Sequence, residues 1–266
     1  MDKKNLKISI ITVCLNSEKT IERTILSVLK QEYDNKEYII VDGGSTDNTL
    51  NIIEKYRDNI NKFISEKDNG LYDAMNKGIH LSTGDMIGIL NSDDIYFSSD
   101  VLSVVSKKYY ETNSDLIFGS LVYFDEENLS QIVRYCLAKS FKPWQLRFGG
   151  MPPHPSSFVT RNAYSRYGLY SLSYKTGSDF ELFVRYIMVE KIKFSKIDQI
   201  LVGMQKGGIT SSGMTSILRT SFEMNKALKE NNYYTNILLI MLRLPIKYFF
   251  NKFKIYANTH EHHITT

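Results

Sequence analysis

The 266-residue sequence predicts an α/β fold built on a parallel sheet and extended at its C-terminus by helices. Short β-branched runs alternate with helical patterns, each unit taking roughly 25–30 residues, the rhythm of strands joined by crossover helices. Polar clusters at Asn16, Asp42 and Asp93/Asp94 close three of the strand runs, where such sheets bind ligands. From residue 216 onward the pattern is helical alone. Hydrophobic residues at 42% and charged residues at 23% suit an ordinary globular protein.

Residues 7–14 read as a buried strand, because ISIITVC is β-branched and shows no polar alternation. Ser17 then suits an N-cap, with Ile21, Ile25, Val28 and Leu29 at helical spacing. EYIIVD (37–42) is the second strand. Gly43, Gly44 and Ser45 turn the chain, and Thr46 or Asp47 opens a helix carrying Ile52, Ile53 and Tyr56. Residues 63–66 form a brief strand, 70–80 a helix, and DMIGIL (85–90) a fourth strand ending in Asn91-Ser92-Asp93-Asp94. The second half is less regular. Residues 115–124 suit a strand, 178–189 a helix, and 216–230 and 234–256 two more, with a kink at Pro245. Two stretches read as loops: 144–154, with Gly149, Gly150, Pro152 and Pro153 and with Pro155 just beyond, and Lys206-Gly207-Gly208.

Adjacent carboxylates at Asp93 and Asp94 repel each other and are expensive to desolvate without a cation. Mg²⁺ or Mn²⁺ suits oxygen ligands and also bridges substrate phosphates. The alternative is that one of them caps a helix starting near Ser98. VDGGSTDNT (41–49) permits a close backbone approach to a ligand, and Asp42 could accept a hydrogen bond from a nucleobase imide or cap the turn. Neither a GxGxxG fingerprint nor a P-loop is present. Trp144 can stack on a sugar ring or lie in the core. Arg185, following Asp179 on the same helix, could pair with it or with phosphate.

Taken in order, ISIITVCLNSEKTI, EYIIVDGGSTDNT, SEKDNGLYDAMNKGI and GDMIGILNSDD resemble the N-terminal half of glycosyltransferase family 2, strongly over residues 7–100 and more weakly to about 210. The resemblance implies a GT-A-like, Rossmann-related mixed sheet flanked by helices, occupying 1–215, with a helical tail over 216–266. It implies an inverting transfer from a nucleotide-sugar, here a UDP-sugar, with Mn²⁺ or Mg²⁺ as cofactor. Carried over by position, Thr12, Cys14 and Asn16 line the base pocket and Asp42 contacts the base. The family often reads VDDGS, and Gly43 departs from it. Asp68, Asn76 and Lys77 lie toward ribose and diphosphate. Asn91 stands where the first Asp of the DxD motif is usual, so Ser92, Asp93 and Asp94 carry that region and the metal weight falls on Asp93 and Asp94. Asp179 matches the general base, and His154 lies near acceptor or metal. Gln205 is followed by KGG rather than completing the QxxRW of processive members, which favours single addition. A sugar-phosphate nucleotidyltransferase would need a glycine-rich loop after the first strand, and VCLNSEKT (13–20) has none. A non-catalytic membrane scaffold would not need Asp93, Asp94 and Asp179 together.

The net charge of +4 resides in the tail, where seven Lys/Arg stand against three Glu from residue 216 on, while residues 1–215 balance. That distribution argues against a nucleic-acid partner. Arg243, Lys247, Asn251 and Lys254 share one helical face opposite Leu242, Leu244, Ile246, Phe249, Phe250 and Phe253, the pattern of an interfacial helix on anionic lipid. Packing on the body or in an oligomer is the alternative. No signal peptide or ~18-residue apolar span is expected, and Cys14 and Cys136 have no metal spacing. The combined expectation is an enzyme in the cytoplasm, peripheral on the inner face of the membrane, acting on a glycan or undecaprenyl-diphosphate-linked acceptor of surface-polysaccharide synthesis.

Overall fold

The computed structural model describes residues 6–125, 131–205 and 214–244. β1 (Ile8–Cys14) is buried along its whole length, as a strand covered on both faces must be. α1 (Ile21–Leu29), β2 (Lys36–Asp42), α2 (Thr49–Glu54), β3 (Lys62–Ser65), α3 (Leu71–Leu81) and β4 (Met86–Ile89) complete the regular half, with β1–β4 mutually parallel. Side chains alternate along these strands. Ile8, Ile10, Tyr38 and Ile40 face α1, α2 and a later helix, whereas Ile11, Val13, Ile39 and Val41 face α3.

After β4 the chain turns back through β5 (Asp94–Tyr96) and α4 (Val101–Thr112), then runs along β6 (Leu116–Phe124) and β7 (Ile132–Cys136). β8 (Ser157–Thr160) follows the proline-rich segment, then α5 (Arg161–Tyr167) and α6 (Ser178–Phe183), which passes into a π-helical turn, Val184–Val189. β9 (Phe194–Gln205) is long and bulged where it pairs with Gly119–Leu121 of β6. The sheet order is β3-β2-β1-β4-β8-β6-β9-β5, with β7 on β6. β8 is antiparallel to β4 and β6, so the sheet is mixed, as expected from the resemblance.

Local starts differ from the sequence reading in instructive ways. Ser17 lies a turn ahead of α1, its carbonyl accepting from the Thr20 and Ile21 amides, and Thr20 takes the N-cap position. Asn48 takes that position for α2 and Asp100 for α4, so neither Asp93 nor Asp94 caps a helix.

α7 (Met214–Glu230) and α8 (Ile237–Met241) lie against the body. Met224, Ala227, Leu228 and Ile240 share a core with Phe180, Phe183 and Tyr186. Arg243, expected on a lipid-facing basic surface, is instead buried, with Nη2 donating to Ser221 Oγ at 3.0 Å. Pro245, Ile246, Lys247, Phe249, Phe250, Asn251, Phe253 and Lys254 lie outside the described residues, as does Lys206-Gly207-Gly208. Among the described residues, no helix is long and apolar enough to cross a membrane.

Candidate active site at the strand ends

Asp42 ends β2 with no accessible surface. Its carboxylate accepts from the Gly44 and Ser45 amides at 3.0 Å, from Ser65 Oγ at 2.7 Å, and from Ser45 Oγ. Burial alone would raise its pKa, but these bonds from Ser45, Ser65 and Gly44 outweigh burial and hold the carboxyl below its ordinary range. Asp42 therefore shapes the turn and is not free to meet a nucleobase. Thr12 is also fully buried, its hydroxyl 3.1 Å from Tyr38 OH, so it does not line a base pocket either. The Cys14 thiol is 3.6 Å from Asp42 Oδ1, and burial pushes its pKa far up, which leaves an inert thiol.

What remains open at these strand ends is the pair Asn16 and Asp68. Asn16 adopts a left-handed conformation (φ 49°), which Asn tolerates, and its Oδ1 accepts from the Thr46 amide at 2.9 Å. Asp68 accepts from the Gly70 amide at 2.8 Å. Its carboxylate lies so close to Gly43 that a Cβ there would stand 2.3 Å from Oδ2. Asp68 thus fills the space of a side chain at position 43. The Lys77 ammonium is held by Glu66 at 2.8 Å and Asp73 at 3.5 Å.

The NSDD segment is gripped by α1. Thr24 Oγ1 lies 2.7 Å from the Asp94 carbonyl and 3.0 Å from that of Ser92, and Arg23 Nη2 donates to the Asp93 carbonyl at 3.0 Å. Ser92 Oγ is 2.8 Å from Ser17 Oγ, joining the ends of β1 and β4. Asp94 has no accessible surface, and Asn91 Nδ2 donates to its Oδ2 at 3.1 Å. Burial, then the neighbouring Asp93, raises its carboxyl well above the ordinary range, and its buried Oδ1 has no hydrogen-bond partner among the described residues. Asp93 keeps part of its surface open, and burial raises its pKa too. Among the described residues no three His, Cys, Asp or Glu side chains form a complete metal cage. Asp93 and Asp94 are the carboxylates that would hold a divalent ion here, one or two carboxylates being the usual protein share for Mg²⁺.

α3 carries this region to the second half. Asn76 donates to the Tyr170 carbonyl at 2.8 Å and accepts from the Tyr170 amide at 3.0 Å, so its amide is committed to the fold rather than to a diphosphate. One turn earlier, Tyr72 OH lies 3.2 Å from Asp179 Oδ1, which also accepts the Phe180 amide at 2.8 Å. Oδ2 of Asp179 takes no bond from a described residue, and the side chain keeps some exposure. Burial raises the Asp179 pKa, opposed by His154, the Phe180 amide and Tyr72. A carboxylate with a raised pKa and one unpaired oxygen is equipped to accept a proton. His154 is buried, with Nε2 2.8 Å from Tyr170 OH, and burial lowers its pKa, so it braces the site as a neutral ring.

Several supporting residues went unread in the sequence. Glu223 of α7 accepts from the Lys175 and Thr176 amides at 3.0 and 2.8 Å and so fixes the approach to Asp179. Tyr72 fits the apolar spacing of α3 and looks like core. Arg185 was expected near Asp179 or phosphate, but it pairs with Glu181 at 2.8 Å and with the carbonyls of Tyr167, Gly168 and Leu169. Trp144 is 61% exposed, which excludes the core alternative. A groove of about 360 Å³ lined by Lys107, Lys108 and Lys196 lies between α4 and β9 and shares no residue with this site.

The fold is similar to that of S. aureus TarS 1-349 in complex with UDP-GlcNAc (TM-score 0.65, 19% identity, 84% of this chain and 66% of that one). The chain thus spans just under two thirds of that TarS fragment. It is also similar to the mannosyltransferase PcManGT of Pyrobaculum calidifontis in complex with GDP-Man and Mn²⁺ (TM-score 0.61, 14% identity, 86% and 64%). In sequence it is 29% identical over 181 residues to a PGL/p-HBAD biosynthesis glycosyltransferase of Mycobacterium bovis, covering 66% of this chain and 68% of that protein. The glycosyltransferase GlyG of Streptococcus pneumoniae is 32% identical over 124 residues, 46% and 41% of the two chains. The sequence relatives are glycosyltransferases, which favours that class over the nucleotidyltransferase alternative. Residues 9–168 match the sequence profile of glycosyl transferase family 2, and the chain belongs to that family.

Proposed function

We propose that the protein is a metal-dependent inverting glycosyltransferase that moves one hexosyl or N-acetylhexosaminyl residue from a UDP-sugar to a lipid-linked or growing surface glycan of capsule, O-antigen or exopolysaccharide type. The observation that carries this reading is Asp179, with one oxygen pinned and the other free, reached from the nucleotide side by α3. Asn16 and Asp68 hold the nucleoside end of the donor. Asp93 and Asp94 are the carboxylates that would hold Mn²⁺ or Mg²⁺, which would supply positive charge to offset that developing on the leaving group. The acceptor oxygen attacks the anomeric carbon from the face opposite the diphosphate. Its proton passes to Asp179 Oδ2, the new C–O bond forms as the bond to phosphate breaks, and UDP leaves with the electron pair. The relative co-crystallised with UDP-GlcNAc supports the donor class. Exposed Tyr234, Leu238 and Leu242 around α8 support contact with the membrane face where a lipid-linked acceptor resides.

A panel of nucleotide-sugars with and without Mn²⁺, read for donor consumption and for the anomeric configuration of the product, tests the reaction. Asp179→Asn keeps size and loses proton acceptance, so kcat should fall about 10²–10⁴-fold with UDP affinity unchanged. Full kcat in that variant, or a product of retained configuration, overturns the reading.

A further inference from the structure

Tyr72 combines features a space-filling aromatic does not need. Its side chain is buried, and its hydroxyl hydrogen-bonds to a carboxylate 107 residues away in sequence. The ring is stacked on Tyr170 with centroids 5.7 Å apart and planes at 19°, which fixes where the hydroxyl points. Tyr170 is itself immobilised, its main chain by Asn76 and its hydroxyl by His154 Nε2 at 2.8 Å and Tyr164 OH at 3.4 Å. Tyr72 and Asn76 are four residues apart and share one face of α3. One helical face therefore holds both the carboxylate and the ring that backs it.

The two donors to Asp179 converge on the same atom. Tyr72 OH and the Phe180 amide both meet Oδ1, and no described residue donates to Oδ2. Two bonds from different directions fix the carboxylate's rotation about its own axis, which a single bond would leave loose. We propose that Tyr72 is a positioning residue for the transfer step, holding Oδ1 of Asp179 so that Oδ2 is the oxygen presented to the acceptor hydroxyl. This rests on Asp179 being the base. Tyr72 does not touch the acceptor and takes no proton. Burial and the Asp179 charge push its own ionisation far up, so it remains a donor at any assay pH. His154 and Tyr170 are the other titratable groups facing Asp179. Burial keeps His154 neutral and raises Tyr170, leaving the carboxylate as the group that titrates.

Tyr72→Phe removes one oxygen and keeps the stacked ring. A hydrogen bond to the ionised form lowers a pKa, so its loss should move the acidic limb of the kcat/KM profile up by roughly one pH unit. On the plateau above that limb, kcat should still fall several-fold because the carboxylate is free to turn. UDP affinity should be unchanged, and the melting temperature should fall by only a few degrees, since the ring contacts survive. Asp179→Asn is measured alongside. If that variant loses kcat while Tyr72→Phe keeps the wild-type limb and plateau, Tyr72 is packing alone and the proposal fails. If Asp179→Asn keeps kcat, the failure belongs to the reading of the base instead.

Discussion

Adding one methyl group at position 43 separates space from chemistry at the nucleoside end of the site. Gly43 has no left-handed φ, so what glycine supplies there is room, and Asp68 uses it. In Gly43→Ala the new Cβ would stand 2.3 Å from Asp68 Oδ2, against a normal contact of about 3.4 Å or more, so the carboxylate must retreat by roughly 1 Å. The carboxylate is the end of a short flexible side chain, and the move stretches the 2.8 Å bond from the Gly70 amide. That costs about 1 kcal/mol of stability, a few degrees at most in melting temperature. A donor contact through the displaced oxygen is worth more, about 1.5–3 kcal/mol for a bond to a charged group, or roughly 10–100-fold in Kd. Calorimetric titration with UDP, paired with a thermal melt, reads the two effects separately. Asp68→Asn should weaken UDP binding similarly, and the double variant should be no worse than either single one, because both remove the same contact. Unchanged UDP affinity in Gly43→Ala, or full additivity with Asp68→Asn, would refute the placement of the donor against Asp68.

Asp93→Ala should abolish Mn²⁺-dependent UDP binding while leaving metal-free binding and the melt unaltered, and EDTA should stop transfer by the intact protein; transfer that persists in EDTA removes the metal from the mechanism. Glu37 ties together β1, β2 and the turn before β4, accepting from Ser9 Oγ at 2.6 Å and from the Thr83 amide at 2.8 Å. Burial would raise its pKa, but these bonds and Lys62 bring it from 4.5 down to about 2. Its stabilising effect is therefore full above the ordinary carboxylate range and is lost as pH falls from about 4.5 toward 2. With solvent screening by half-exposed lysines, the effect is worth about 2 kcal/mol. Urea midpoints of the protein and of Glu37→Gln should differ at pH 7 and converge toward pH 2; a gap that stays constant would contradict this.

The parallel half of the fold was legible because β1, β2 and β4 are buried on both faces and therefore read as unbroken apolar runs. The antiparallel strands were not. β8 is four residues behind three prolines, and β5 is three residues paired with a strand more than a hundred positions away. β9 mixes exposed and buried residues around a bulge, which blurs any period. The site divides the same way. Polar residues at strand ends were correctly located, but Thr12, Asp42 and Asn76 turned inward to partners that only the folded chain supplies. Asp94 likewise is fully buried while Asp93 stays partly open, a distinction that two identical adjacent letters do not carry.

The pairing of Asn76 with Tyr170 has a consequence for what position 76 tolerates. A primary amide carries a donor and an acceptor side by side, as a peptide unit does, and here it meets the N–H and C=O of a single residue. In effect a side chain stands in for one rung of a strand. Aspartate has the shape but only acceptors, and would set a negative oxygen against the Tyr170 carbonyl. Leucine has neither function, and glutamine is one carbon too long for the same reach. The orientation of the Tyr170 segment is thus encoded by the chemistry of one side chain on a helix, which ties that segment to α3.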